Sequence, residues 1–160
     1  MERASPMEQK FNTSLLTVFG PDRLMAEVPF EELTPGFDCG GGTYKVTREE
    51  AEKFKTLMGD TNRYEPGVVP VGMIYVFGLR ICWDRKVFMD GSIRAGDKIT
   101  FYKAPRIGDI ITTRLSIAGK KEVTKDDKVR RYLYIDMNAT NQHGEKITDI
   151  QMSFLMPVRK

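Results

Sequence analysis

The segment from Val71 to Trp83 is the feature that most restricts how this chain can fold. Its sequence, VGMIYVFGLRICW, is apolar at nearly every position, and Arg80 is its single charged residue. A surface helix keeps a polar face, so this segment cannot be one. The longest apolar run, residues 68–79, is also well short of the roughly 20 residues that a membrane-spanning helix needs. We therefore predict a helix at residues 71–83 that other parts of the protein wrap on most sides.

A second helix and a loop precede this segment. Thr47 stands three residues before Glu50, which is the arrangement of a helix N-cap with its acidic partner. Apolar residues then recur at helical spacing, and Gly59 stands where a left-handed residue commonly ends a helix. This pattern predicts a helix over residues 48–58. The following segment, DTNRYEPGVVP, contains turn residues and two prolines, so it predicts a loop.

The chain after Asp84 follows strand patterns. Four segments are rich in Ile, Thr, Tyr and Phe and are separated by turn signals: 99–104, 110–118, 129–141 and 146–156. A glycine-rich extended stretch, FDCGGGTYKV, precedes the first helix, whereas residues 1–25 show no clear pattern. One apolar helix together with long antiparallel strands predicts a single α+β domain in which a curved sheet packs around the helix.

Length, charge and cysteine content exclude several classes of protein. A chain of 160 residues fits one domain, and a net charge of +3 is too small for a typical nucleic-acid-binding protein. Cys39 and Cys82 lie far apart in a chain with one histidine, so a metal site lacks ligands and we expect two buried, reduced thiols. The first ten residues contain no apolar run, so we expect no secretory signal, no membrane partner and a cytoplasmic location.

Five segments, taken in their order, resemble one known group of proteins. The first half of the chain contains FEELTPGF, VTREEAEKFKTLMGDTN and VVPVGMI, and the second half contains GSIRAGDKITFYKAPRIGDIITTRLSI and VRRYLYIDMNATNQHGEKITDIQMSFLMP. Together they resemble the MaoC-like dehydratase and (R)-enoyl-CoA hydratase group of hotdog-fold proteins, especially the N-terminal-type domains and the subunits of two-component hydroxyacyl-thioester dehydratases. The resemblance implies a hotdog domain over residues 30–160, preceded by a partly ordered extension at 1–29.

The resemblance also implies a catalytic site. In that group an Asp, followed five positions later by a His, holds the water that is added to an enoyl thioester or removed in the reverse reaction. Here Asp60 and Asn62 match the start of the motif, but Glu65 stands at the His position and Arg63 at the Pro position. Asp60 and Glu65 could share the acid and base roles if burial raised the pKa of one of them.

Further candidates would contact the substrate. The N–H of Gly72, in the first turn of the predicted helix, has no intrahelical partner and could polarise a thioester carbonyl. Asn62 is expected to hold either a turn or the substrate, Val71 is expected to contact the substrate, and Arg80 is placed at a subunit interface or beside the acyl channel. His143 lies in a predicted hairpin turn, NQHGE, and is excluded from the site.

A basic segment completes the candidates. Six basic residues and three acidic ones lie between Lys120 and Arg131. This segment is either a solvated hairpin or, through residues such as Lys120 and Lys121, a binding surface for the phosphates of coenzyme A or a phosphopantetheine carrier.

Three functions fit these residues. The first is a hydro-lyase that acts on an enoyl or 3-hydroxyacyl thioester of coenzyme A or acyl carrier protein. The second, motivated by the missing His, is a non-catalytic subunit that pairs with a catalytic hotdog partner. The third is a thioesterase, which the absence of a carboxylate in residues 71–83 disfavours. In each case we expect no cofactor beyond the coenzyme A or phosphopantetheine of the substrate, and at least a dimer.

Overall fold

The computed structural model describes residues 16–59, 64–87 and 90–158. Within them, two α-helices and six strands are α1 Arg48–Leu57, α2 Val71–Asp84, β1 Leu16–Phe19, β2 Asp38–Lys45, β3 Ile93–Phe101, β4 Ile110–Lys125, β5 Lys128–Thr140 and β6 Lys146–Met156. The strands form one antiparallel sheet in the order β1-β2-β4-β5-β6-β3. The predicted α+β architecture, a curved sheet around one helix, is confirmed.

Local sequence explains α1. The Thr47 side chain accepts a hydrogen bond from the N–H of Glu50 at 3.3 Å and so satisfies one of the unpaired first-turn donors. Ala51 and Phe54 are buried on the inner face, and Gly59 follows the helix with φ +67°. The helix predicted at 48–58 is therefore confirmed to within one residue.

The apolar helix α2 packs against the concave face of the sheet. Its buried side chains include Ile74, Phe77 and Ile81, and the Phe77 ring stacks on that of Tyr44 from β2 with 4.2 Å between ring centroids. The expectation that α2 is wrapped on most sides is confirmed, because Arg80 and Trp83 are the only exposed residues of the helix. Trp83 is 61% exposed, and these two residues form a narrow outer stripe on the side of α2 that faces away from the sheet.

Two strands differ from their predicted bounds. β3 spans Ile93–Phe101 rather than residues 99–104, and β4 reaches Lys125 rather than residue 118. β3 pairs with β6 along its length, from Ile93↔Leu155 to Phe101↔Thr148, and this pairing outweighs the weak strand preference of its Gly and Asp residues. β4 and β5 stay paired to their shared turn.

Residues 16–29, assigned to the N-terminal extension by the sequence analysis, belong to the same sheet and core. β1 pairs with β2, and Met25 and Val28 are buried. Cys39 and Cys82 are both buried free thiols, as expected. Burial and the nearby Asp38 carboxylate raise the pKa of the Cys39 thiol to about 12, so this thiol is unreactive near neutral pH.

The described residues contain neither a membrane-spanning helix nor a cluster of metal ligands. None of their helices is long and apolar enough to cross a membrane. Nor do their His, Cys, Asp and Glu side chains form a group of three that could hold a metal ion.

Candidate functional site

Backbone hydrogen bonds fix the approach to α2. The N–H of Val69 donates to the carbonyl oxygen of Pro105, and the N–H of Ile107 donates to that of Gly67, both at 2.9 Å. The segment before α2 is thereby attached to the loop that follows β3. The first turn of the helix consequently lies beside the end of an edge strand.

A groove of about 350 Å³ opens between these two segments. Its lining is mainly apolar and includes Tyr64, Val68, Val71, Phe101, Tyr102 and Ala104. Lys103 lies at its edge, where its ammonium group forms an ion pair with Glu145 at 2.6 Å. The groove is therefore suited to an apolar group that carries a polar end, the usual pattern of small-molecule sites.

The first turn of α2 begins next to this groove without a side-chain cap. Pro70 is the N-cap residue and makes no capping hydrogen bond, and the first turn contains no acidic residue. Gly72 is the second helical residue, and a Cβ added to it would lie 3.3 Å from Cζ of Phe54. The partial positive charge of this helix end is therefore not offset by a carboxylate of its own first turn.

Only one of the two carboxylates of the predicted catalytic pair, Glu65, lies in the part of the chain that the structure describes. Glu65 is exposed, and its backbone carbonyl accepts a hydrogen bond from the N–H of Val68 at 3.1 Å. The burial that the shared-carboxylate hypothesis needs is therefore not found at Glu65. Asp60 and Asn62 lie outside the described residues, so their roles stay predictions.

Val71 and Arg80 are separated by the length of α2. Val71 lines the groove, and its contact with a substrate stays a prediction. Arg80 is exposed and pairs with Asp84, with Nε 3.2 Å from Oδ1. It lies eight residues beyond Gly72, which is about 12 Å along the helix axis. Arg80 is therefore on the outer stripe of α2 and not in the groove.

Lys120 and Lys121 lie at the other end of the sheet. The Lys120 ammonium donates to the carbonyl oxygens of Phe30 and Glu31, each at 2.7 Å. Ile111, nine residues earlier in β4, belongs to the buried cluster that includes Met73 near the start of α2. Nine strand residues span about 30 Å. Within one chain the structure therefore does not bring these lysines next to Gly72.

The aromatic wall of the groove was missed by the sequence analysis. Phe101 and Tyr102 end β3, and the Tyr102 hydroxyl donates to the Asp149 carboxylate at 2.8 Å. The Lys55 ammonium, on a side chain only 8% exposed, lies 5.7 Å from the centroid of the Tyr64 ring. Exposed aromatics at a strand end were a visible signal, but only the fold shows that this strand end meets the start of α2.

Comparisons with known proteins support the fold at low sequence identity. The sequence matches no protein-family model and no curated protein. The monoamine oxidase regulatory protein from Archaeoglobus fulgius matches with a TM-score of 0.67 and 16% identity, over 83% of this chain and 96% of that one. A MaoC-like dehydratase from Rhodospirillum rubrum matches at 0.66 and 15%, over 83% and 99%.

A third solved structure, the (R)-hydratase from A. caviae involved in PHA biosynthesis, has a TM-score of 0.61 and 16% identity, over 79% of this chain and 99% of that one. These likenesses show that the chain has the hotdog fold. They agree with the resemblance that the sequence segments carry.

Proposed function

We propose that the groove beside the first turn of α2 binds an acyl thioester and that the chain adds or removes water at an enoyl or 3-hydroxyacyl thioester. The observation that carries this proposal is an apolar groove of about 350 Å³ next to a helix start that has no side-chain cap. The A. caviae hydratase and the R. rubrum dehydratase, which share the fold, support the choice of reaction.

The proposed chemistry needs three groups around the thioester. A base takes a proton from water as the water oxygen bonds to the β-carbon, an acid protonates the α-carbon, and a donor stabilises negative charge on the carbonyl oxygen. The Gly72 N–H is the donor, because a first-turn amide has no intrahelical acceptor. Asp60 and Glu65 are the proposed acid and base, and the acyl chain lies against Val71 and Phe101.

Hydration of crotonyl-CoA, followed by loss of the enoyl absorbance, tests the proposal. Ala104→Trp fills the groove and should lower kcat/KM at least about tenfold, since the acyl group loses its position. Ala26→Trp is the matched control, because Ala26 is an exposed alanine that lines a different recess. Equal activity of the two variants, or a wild-type protein without activity on enoyl thioesters, contradicts the proposed site.

The two proposed catalytic carboxylates are tested in the same assay. Asp60→Asn and Glu65→Gln keep side-chain size but cannot take a proton, so each should lower kcat by about 10²-fold or more with a smaller change in KM. Glu49→Gln, an exposed acid on α1, serves as the control. Full activity of Glu65→Gln would remove Glu65 from the mechanism.

A second copy of the chain is proposed to cover β3. Among the described residues this strand ends the sheet with one side unpaired, and all nine of its residues are exposed, including Ile93 at 62% and Phe101 at 59%. Exposed apolar edge strands promote association, so proteins usually cover or charge them. Since Phe101 also lines the groove, the second copy would border the thioester site.

Sedimentation velocity checks the dimer. Ile99→Glu places a charge on the exposed edge and should shift the protein to monomer, whereas Val129→Glu, at a similarly exposed position of β5, should not. Monomeric wild-type protein at micromolar concentration would overturn this part of the proposal.

The non-catalytic subunit is the second candidate, and the exposure of Glu65 at the position of the motif His favours it. It predicts no turnover by the chain alone and turnover after mixing with a catalytic hotdog partner. In both cases the substrate carries its own coenzyme A or phosphopantetheine, and we propose that the protein acts in the cytoplasm. A thioesterase would instead release free thiol from acyl-CoA, which the same samples can be assayed for.

A further inference from the structure

The hairpin of β4 and β5 extends beyond the rest of the sheet. β2 pairs with β4 no further than Ser116, and β6 pairs with β5 from Arg131 onward. The pairing of β4 with β5 nevertheless continues to Lys125↔Lys128. Among the described residues the sheet therefore narrows to two strands at residues 123–130, and we call this tip together with its base, residues 120–131, the basic ribbon.

The inner face of the basic ribbon has its charges compensated. Arg131 lies 2.8 Å from a carboxylate oxygen of Glu122 and 3.3 Å from one of Glu31, and its guanidinium covers the Phe30 ring. Lys120 donates to two backbone carbonyls of the same segment. These contacts hold the ribbon against the body of the protein and give its inner cations a structural role.

The outer face carries four cations that lack such partners. Cross-strand pairs Lys121↔Tyr132, Val123↔Arg130 and Lys125↔Lys128 place these side chains on one face, since directly paired residues point the same way. Within the described part of the chain, none of the four has a carboxylate oxygen within 4 Å: Lys121, Lys125, Lys128 and Arg130. Like charges directly opposite each other lower strand stability. An acidic partner would relieve this repulsion.

Carboxylates limit the positive face at both ends. Asp126 and Asp127 form the turn at the tip, with φ of 51° and 58°. At the other end Asp136 lies on the same outer face of β5, two alternate positions beyond Tyr132. From Lys121 to Lys125 the face measures about 14 Å. A nucleic-acid backbone running along the ribbon would meet carboxylates at either end, whereas a short acidic surface would not.

We propose that the outer face of the basic ribbon is a docking site for an acidic partner protein, one that presents carboxylates along about three turns of a helix. This inference goes beyond the proposed function and does not depend on it. The ribbon lies at the opposite end of the sheet from the groove, so docking there leaves the thioester site open.

Fluorescence anisotropy with two labelled peptides tests the proposal. Both are helical, about 14 residues long, and contain four glutamates; in one peptide the glutamates share a face, and in the other they are distributed around the helix. At about 50 mM salt, where screening is weak, the one-faced peptide should bind at least about fivefold more tightly. Equal affinity for the two peptides overturns the proposal.

Two variants with the same change in net charge locate the site. The first replaces the outer cations with Gln: Lys121, Lys125, Lys128 and Arg130. The matched control replaces four other exposed cations with Gln: Lys45, Lys86, Arg48 and Arg106. The ribbon variant should lose at least about tenfold in affinity for the one-faced peptide, and the control no more than about twofold. Equal losses would show unspecific charge attraction and contradict the proposal.

Folding and competing polyanions are checked with the same proteins. Removal of like charges should leave the melting temperature unchanged or higher; if the ribbon variant unfolds, Lys125→Gln and Lys128→Gln are measured singly, and each should lose about threefold. No loss in the single variants contradicts the proposal.

Tighter binding of a short oligouridine or of phosphatidylglycerol vesicles than of the one-faced peptide also overturns it.

Discussion

The two ends of α2 are built in opposite ways. At its start, Pro70 provides no side-chain cap and the helix faces a groove. At its end, Arg85 is buried, and its guanidinium donates to the carbonyl oxygens of Cys39 at 3.1 Å and Pro21 at 2.5 Å. One helix thus has a closed carboxyl end and an open amino end.

Electrostatics gives the difference a functional meaning. The carboxyl end of a helix carries partial negative charge, which a cation such as Arg85 stabilises. The amino end carries partial positive charge, and its first turn contains no acidic residue. A ligand with a polarised carbonyl oxygen would complete that end. The closed end supplies rigidity, and the open end borders the proposed binding site.

The largest expected effect is at the closed end. Arg85→Met should lower the free energy of unfolding by about 3 kcal/mol, because charge-assisted hydrogen bonds are lost and buried carbonyls are left unpaired. Arg80→Met is the control, since Arg80 is exposed and pairs only with Asp84 among described residues. It should cost about 0.5 kcal/mol or less. Urea unfolding measures both, and equal losses would mean that Arg85 does not close the helix end.

A glycine beside Arg85 is expected to have an effect of similar size. Gly40 has φ +89°, and a Cβ there would lie 2.5 Å from the Phe19 carbonyl oxygen and 2.7 Å from Nε of Arg85. Gly36 has a similar φ of +86° but nothing within 4 Å. Gly36→Ala should cost about 1 kcal/mol for the backbone conformation alone, and Gly40→Ala about 3 kcal/mol. Urea unfolding measures both variants. Equal losses in the free energy of unfolding would show that the atoms around Gly40, including the Arg85 side chain, move aside at little cost.

The smallest effect concerns Asp149, which holds the groove residue Tyr102. Burial alone would raise the pKa of Asp149, but hydrogen bonds from Tyr102, Lys146 and Asn138 outweigh burial and hold that pKa below its usual value. A lowered folded-state pKa stabilises the protein above the unfolded-state pKa, and this contribution is lost as the pH falls below about 4.

Tyr102→Phe removes one of these hydrogen bonds, so its melting temperature should fall less than that of the wild type between about pH 5 and pH 3. Tyr132→Phe is the control, because the Tyr132 hydroxyl is not part of this network. Parallel melting curves for wild type and Tyr102→Phe over that pH range would show that the Tyr102 hydroxyl does not influence Asp149.

Local signals in the sequence were sufficient to predict the two helices. Thr47 and the apolar spacing after it define α1, and the apolar run defines α2. The start of β3 was missed because Gly96 and Asp97 have low strand preference, and only pairing with β6 places them in a strand. The sequence at Arg85 resembles an ordinary exposed helix end. The burial of Arg85 could not be predicted because it depends on residues 21–39, which fold over its side chain.

The candidate site, like the fold, could be predicted from the sequence only where local signals define it. Val71 follows from the helix start, since a first-turn residue lies near the open end of a helix. The aromatic wall formed by Phe101 and Tyr102 depends on which loop lies beside α2, and that is a property of the topology. The distance between Lys120 and Gly72 likewise follows from strand length and pairing, which residue types alone do not specify.

Amide chemical shifts during titration with an analogue of crotonyl-CoA in which a methylene group replaces the thioester sulfur, so that the carbonyl oxygen is kept, test the open end of α2 most directly. The account predicts saturable shifts that are largest at the N–H groups of Val71, Gly72 and Met73 and small at Arg85 and along the basic ribbon. Shifts confined to Arg85 or to the ribbon, or no saturable shift at the start of α2, would contradict it.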